Sequence, residues 1–252
     1  QAQHVRSDTR CLCVASSLAL LFHMMEAGDD TLPQSFEIAG VTLQLVGVQG
    51  SLRQGCTDVT GFELWRPATA AACHALAAGE EGGGLVRGRS VLELGCGLGA
   101  LGIFCAKLGA TRVLLTDREP AVLQLAAQNA ALNGVANRCD FAVLDFTASP
   151  LPVWSGAAFD TVVASDVLFL DRLAQPLHSA LDSLAQAACQ SPGGQLSAVL
   201  GHEVRRAVYR GPDGQPCLEA EDSALKAFLD TAGQVAKVKG TDLASTSADL
   251  SG

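Results

Sequence analysis

The 252-residue chain reads as an α/β protein, a doubly wound and mainly parallel sheet entered through an N-terminal β-hairpin. Three observations predict this. From about residue 35 onward, short apolar runs of strand length alternate with stretches of helical periodicity, and no internal repeat is present. A glycine-rich turn, "LGCGLGALG", directly follows one of the apolar runs. Hydrophobic residues make up 48% of the chain against 17% charged, the balance needed by a central sheet covered on both faces.

The elements follow in order. "SFEIAGVTLQLVGVQG" alternates apolar and polar residues about Ala39-Gly40, which predicts two strands and a tight turn. Pro67 sits where a missing N–H costs nothing, at the opening of a helix over Ala68–Ala77. "EEGGGLVRGR" is a loop and "SVLEL" a short buried strand. A helix over Gly102–Leu108, the strand "RVLLTD" and a helix over Glu119–Asn133 come next, the last closed by Asn133-Gly134. "CDFAVLDF" and "FDTVVASD" are the third and fourth strands, and Ala174–Cys189 is a helix. "GGQLSAVLGHE" is the fifth strand, Ser223–Ala232 a helix and "QVAKVKG" the sixth strand.

Composition narrows the function classes. The length suits one domain, 31–252, preceded by an N-terminal extension over 1–30. That extension carries the apolar run "CLCVASSLALLFHMM", too short to span a bilayer. It reads as a targeting segment, an extra helix or, the reading preferred, sequence upstream of a start at Met24 or Met25. A formal net charge of -9 argues against nucleic acid, whose phosphates would be repelled, and favours a basic partner. The nine cysteines form no Cys-x-x-Cys, and no paired histidine spacing accompanies them, so no metal is expected. Reduced thiols, a cytoplasmic setting, no membrane span and a monomer are the expectations that follow.

The glycine turn carries the chemistry. Gly95, Gly97 and Gly99 let a ligand approach the backbone closely, as in any Rossmann-like fold. A dinucleotide enzyme places a packed aliphatic residue two positions before the first glycine, and here that residue is Glu93. A carboxylate there repels a pyrophosphate and suits a cationic, amine-bearing ligand. The pattern E-x-G-x-G-x-G resembles motif I of S-adenosylmethionine-dependent methyltransferases. Asp117, at the end of "VLLTD", stands where an acid accepts both ribose hydroxyls, a geometry shared with dinucleotide enzymes. Asp145 ends the third strand where such methyltransferases receive the adenine amino group, with Phe146 beside the ring.

Two further segments sharpen the resemblance. Asp166 and Phe169 in "DVLF" match the D-x-x-Y/F pattern of the seven-strand protein-lysine methyltransferases of the methyltransferase-like group. "TGFELWRPATAAACHAL" resembles that family's T-G-x-x-x-W-x-x-A segment, in which the tryptophan, Trp65 here, closes over the cofactor. "NAALNG" and "GHEVRR" fit as well, the latter like a Tyr/His-x-x-Arg strand ending, while Phe146 stands where the family often has Trp. The resemblance implies a class I methyltransferase fold, S-adenosyl-L-methionine as cofactor and a lysine side chain of a protein as acceptor. It assigns Trp65, Glu93, Gly95, Gly97, Gly99, Asp117, Asp145 and Phe146 to the cofactor. Asp166 then orients the amine, and Phe169 supplies an aromatic wall with a cation–π attraction of roughly 0.5 to 2 kcal/mol. Small-molecule, arginine and histidine methyltransferases on the same fold stay open, as does an inactive cofactor-binding module.

Overall fold

The computed structural model describes residues 11–17, 32–47, 60–81, 84–148, 159–190, 194–206, 208–210, 212, 215–232 and 237–242. The strands are β1 (Cys11–Ser17), β2 (Gln34–Ile38), β3 (Val41–Leu45), β4 (Ser90–Leu94), β5 (Arg112–Asp117), β6 (Cys139–Val143), β7 (Thr161–Ser165), β8 (Ser197–Glu203), β9 (Val208–Arg210), β10 (Pro216–Leu218) and β11 (Lys237–Asp242). The α-helices are α1 (Arg66–Glu81), α2 (Ala100–Leu108), α3 (Pro120–Leu132), α4 (Ala174–Cys189) and α5 (Ser223–Ala232).

Seven strands form one sheet in the order β11-β1-β8-β7-β4-β5-β6, and every neighbouring pair is parallel. Chain order runs outward from β4 through β5 to β6 on one side, and from β7 to β8 on the other. The switch point between β4 and β7 is where an open α/β sheet leaves a crevice at its strand ends. Adjacent strand residues enter opposite cores. Val91, Val113, Leu115 and Val163 join α1, α2, α3 and the hairpin. Leu92, Leu114, Val162 and Ala164 join α4 and α5 on the other face. The doubly wound sheet and the hairpin expected from the sequence are both present.

The β2–β3 hairpin turns at Ala39 (φ 49°) and Gly40 (φ 74°), two positive angles of the kind a right-twisted two-residue turn demands. "NAALNG" explains how it is fastened. Asn133 Oδ1 accepts the Gln44 N–H at 2.9 Å, and its amide donates to Gln44 O at 2.6 Å. Asn129 does the same for Val46, at 2.8 and 3.3 Å, and also donates to Leu98 O at 3.0 Å in the glycine turn. The side chains of Asn129 on α3 and Asn133 at its C-cap thus stand in for a neighbouring strand.

Cys11–Ser17 departs from the expected division at residue 30. The segment pairs in parallel with β8 on one side and β11 on the other, inside the central sheet. A parallel strand flanked on both sides need not alternate, so "CLCVASS" offered only an apolar run, which periodicity cannot distinguish from a buried helix. Met24 and Met25 lie outside the described residues. Helix α1 starts at Arg66, two residues before the expected bound, and the last strand runs Lys237–Asp242 rather than 234–240. No helix among the described residues is long and apolar enough to cross a membrane.

Candidate functional site

A cavity of about 210 Å³ opens at the carboxyl ends of β4, β5, β6 and β7, at the switch point. A water needs on the order of 10–15 Å³ of such space, so the cavity has room for a small molecule and is not a packing defect. Its floor is the glycine turn. Gly97 has φ 51°, and a Cβ there would lie 3.1 Å from Gly61 O, so a side chain would be strained and would press on the segment crossing above it. Gly95 has φ 63°, and its added Cβ would come within 2.8 Å of Val167 Cγ1. Both glycines line the cavity, whereas Gly99 does not and instead caps α2 in a left-handed conformation.

The strand-end acids divide. Asp117 lines the cavity; its Oδ2 accepts Gly97 N–H and its Oδ1 accepts Glu119 N–H, each at 3.0 Å. Burial raises its carboxyl above the ordinary range, and the N–H donors of Glu119, Gly97 and Arg118 pull it back. Asp145 also lines the cavity, with Oδ1 accepting the N–H and hydroxyl of Thr147 at 2.9 and 2.7 Å, and Phe146 lies beside it. Glu93 does not reach the cavity. It is 1% exposed, and its Oε2 accepts Gly102 N–H at 2.9 Å in the first turn of α2. Burial drives its carboxyl well above the carboxylate range, the Gly102 bond opposes this, and Asp117 adds to it. Strand parity is the cause: Glu93 shares the face of Val91, which packs toward α2, so its side chain supports the turn from below. The expected direct contact of Glu93 with a cationic ligand is replaced by a hold on the loop.

Trp65 lines the opposite wall, its Nε1 donating to Thr60 O at 3.0 Å, so the 60–65 segment folds back over the turn. Asp166 and Phe169 line the cavity beyond β7, with Phe169 39% exposed. Asp166 holds φ 57°, rare outside glycine and of a kind that clusters at functional sites, and its N–H donates to Gly201 O at 2.8 Å. Its side chain is already engaged. Arg205 Nη1 donates to Asp166 Oδ1 at 2.7 Å and Nη2 to Oδ2, while the same two nitrogens reach Glu203 O and Glu203 Oε2. The guanidinium carbon also lies 5.4 Å from the Trp65 ring centroid.

Behind this pair is a group that the sequence reading named only as a strand ending. His202 Nε2 lies 3.0 Å from Asp222 Oδ2, which also accepts Arg205 N–H at 2.6 Å. Asp222 Oδ1 accepts Leu225 N–H at 2.9 Å and so caps α5. Burial raises the Asp222 carboxyl, but the donors from Leu225, Arg205 and His202 outweigh it and hold the group below the ordinary range. Ser165 and Thr69 share a hydroxyl bond of 2.9 Å near the same strand end. "GHEVRR" was the available signal for Arg205 and His202, whereas Asp222 carried none beyond a helix-capping position.

Residues 49–199, more than half of the chain, match a family model described as lysine methyltransferase. The ribosomal protein L11 methyltransferase of Xanthomonas axonopodis pv. citri (strain 306) is 37% identical over 118 residues, covering 46% of this chain and 33% of that protein. The ribosomal protein arginine N-methyltransferase rmt3 of Schizosaccharomyces pombe is 35% identical over 100 residues, covering 35% of this chain and 18% of that protein. The chain thus spans about a third or less of the length of these relatives. Among solved structures, magnesium protoporphyrin IX methyltransferase of Synechocystis PCC 6803 is 28% identical with a TM-score of 0.38, covering 46% of this chain and 51% of that one.

Proposed function

The chain belongs to the lysine methyltransferase family, and from that premise we propose that it is a protein N-methyltransferase whose acceptor is a lysine side chain. S-adenosyl-L-methionine is the cofactor. The residues present fit it: Gly95 and Gly97 bring bare backbone to the cavity wall at positions where a Cβ would press on Val167 and Gly61, and Asp117 and Asp145 stand along the rim. Bound there, the cofactor supplies a methyl group on a cationic sulfur. Asp117 would receive the ribose hydroxyls and Asp145 the adenine amino group, with Phe146 against the ring. Trp65 would close over the turn, and Glu93 would keep the turn's shape through Gly102.

The acceptor end is assigned to Asp166 and Phe169. In-line displacement asks chiefly for alignment of nucleophile, methyl carbon and leaving sulfur, so these residues position more than they react. A lysine amine has a reference pKa near 10.4 and must lose a proton before it attacks. A carboxylate at Asp166 orients the remaining N–H bonds, and Phe169 walls the approach. The observation that carries the reading is one cavity lined by Gly97, Asp117, Asp145, Asp166 and Phe169 together.

The protein class of the acceptor draws support from relatives named for ribosomal protein substrates. One of these is an arginine methyltransferase, which makes arginine the second reading. Asp166 favours lysine over it. A guanidinium asks for the planar two-oxygen edge of the carboxylate, which Arg205 already occupies, whereas an ammonium needs only one of the lone pairs that remain. Incubation with methyl-labelled cofactor and a cell extract, followed by mass spectrometry of the labelled site, tests the assignment. Label on lysine is expected. Label confined to arginine, histidine or small molecules overturns it.

A further inference from the structure

One nitrogen of the buried His202 ring has no partner among the described residues. Nε2 faces Asp222 Oδ2 at 3.0 Å. A carboxylate only accepts, so Nε2 carries the ring hydrogen. In the neutral ring Nδ1 is then a bare acceptor, it makes no hydrogen bond, and the residue is 1% exposed. It faces Asp166 Oδ1 at 4.0 Å, one acceptor against another. A buried polar atom left in this way asks for an explanation. The arrangement is that of a base whose tautomer is fixed by an acid on its far nitrogen, with its free lone pair directed at the acceptor end of the cavity.

We propose that His202, acting through Asp166, takes up the proton that the acceptor ammonium must shed before methyl transfer. This deepens the lysine reading above and rests on it. An N–H bond of the ammonium breaks, its electron pair stays on nitrogen, and the proton bonds to an Asp166 oxygen. Asp166 passes a proton to the Nδ1 lone pair and returns to carboxylate. The imidazolium so formed lies between Asp166 and Asp222, and its proton leaves to solvent after the transfer. Each Asp166 oxygen has two lone pairs, so the bonds from Arg205 leave room for the ammonium and for the ring. The 4.0 Å separation closes by a movement of about 1 Å, and hydrogen bonds of this kind tighten when substrate binds. The charged groups about the ring are Asp222 and Asp166 at its two nitrogens, with Arg205 and Glu203 behind Asp166. His202 does not touch the substrate and is a positioning residue with a proton-holding role.

The test is a pH profile. Initial rates of lysine labelling are measured from about pH 7 to about pH 9.5, spanning the interval between histidine and lysine titration. Radiolabelled S-adenosylmethionine is the donor and heat-treated cell extract the acceptor, for the wild type, His202→Gln and Asp222→Asn. With the proton kept inside the complex, ammonium with neutral ring and amine with imidazolium contain the same number of protons, so the wild-type rate stays nearly flat. Without the ring the amine must reach the enzyme already neutral, and the His202→Gln rate climbs about tenfold per pH unit toward the wild-type value. Asp222→Asn keeps the side chain's shape but offers one acceptor oxygen where the carboxylate has two, serving either the α5 cap or the ring, and lacks the charge opposite the imidazolium, so its profile tilts the same way. S-adenosylhomocysteine affinity by calorimetry stays within about twofold in both. Should His202→Gln fail to fold by circular dichroism, Asp222→Asn decides the question. Profiles parallel to the wild type, lowered by a constant factor, overturn the proton route and leave the lysine reading standing. A wild type that labels no lysine overturns both.

Discussion

Asp117 braces the glycine turn and, in the reading proposed above, receives the ribose, and Asp117→Ala removes both roles at once. Its oxygens brace Gly97 and Glu119 from the rim of the cavity while remaining open to a ligand diol. Asp117→Ala is expected to weaken S-adenosylhomocysteine binding by about 1.5 to 3 kcal/mol, the usual worth of hydrogen bonds to a charged group. Calorimetry reads this directly, and an unchanged dissociation constant in a folded variant would put the ribose elsewhere. Glu93 yields a different signature, in stability. Its folded carboxyl titrates well above the ordinary 4.5, so from that pH upward the native state holds a proton that the unfolded chain releases. Stability therefore falls as pH rises through this window. Glu93→Gln keeps an oxygen for Gly102 N–H and cannot ionise, so its denaturation midpoint should lose that part of the slope. Equal slopes for the two proteins would mean that Glu93 is ionised in the fold. Both acids are legible in the sequence as strand-end carboxylates, and a ligand-facing direction is expected of both, but only Asp117 lines the cavity while Glu93 turns to Gly102. Parity settles Glu93, two residues from the inward Val91. Pairing of Asp166 with Arg205, 39 positions away, depends on β7 and β8 lying side by side, which no local pattern records.

Among the elements, α3 and the hairpin form a unit. Asn129 is fully buried and meets Val46 and Leu98 through three hydrogen bonds. Its loss leaves the Val46 N–H, just past β3, without that acceptor beneath the turn that floors the cavity. Asn129→Ala should cost about 1–3 kcal/mol in urea denaturation, and the exposed Asn137→Ala should cost less than about 0.5 kcal/mol. Equal midpoints for both variants would remove the asparagine clasp from the fold's support. The hairpin itself was readable, because alternation and an Ala-Gly turn are local properties. So were the bounds of α4 and α5, where polar flanks meet a steady helical period. Cys11–Ser17 was not, since its environment is set by strands about two hundred residues distant.

At the scale of the whole molecule, the sheet has a site half and a β1 half. The cavity rests on β4 to β7, whereas β1 joins β8 to β11 on the far side. A version beginning at Met24 deletes β1 and leaves both neighbours without that partner. Its melting temperature should fall by more than the roughly 2–4 °C that corresponds to 1 kcal/mol in a chain of this size. Affinity for S-adenosylhomocysteine should be retained. Identical melting curves would take β1 out of the cooperative unit. The two halves meet at Asp222, whose one carboxylate starts α5, steadies the backbone at Arg205 and holds His202. Mutational tolerance is therefore narrow there for a reason that a catalogue of active-site contacts would miss. In a library selected only for heat resistance, serine or threonine at this position would pass as a capable helix start. The same library selected for turnover would discard them, so the difference between the two survivor sets measures how far this protein's durability and its chemistry depend on one side chain.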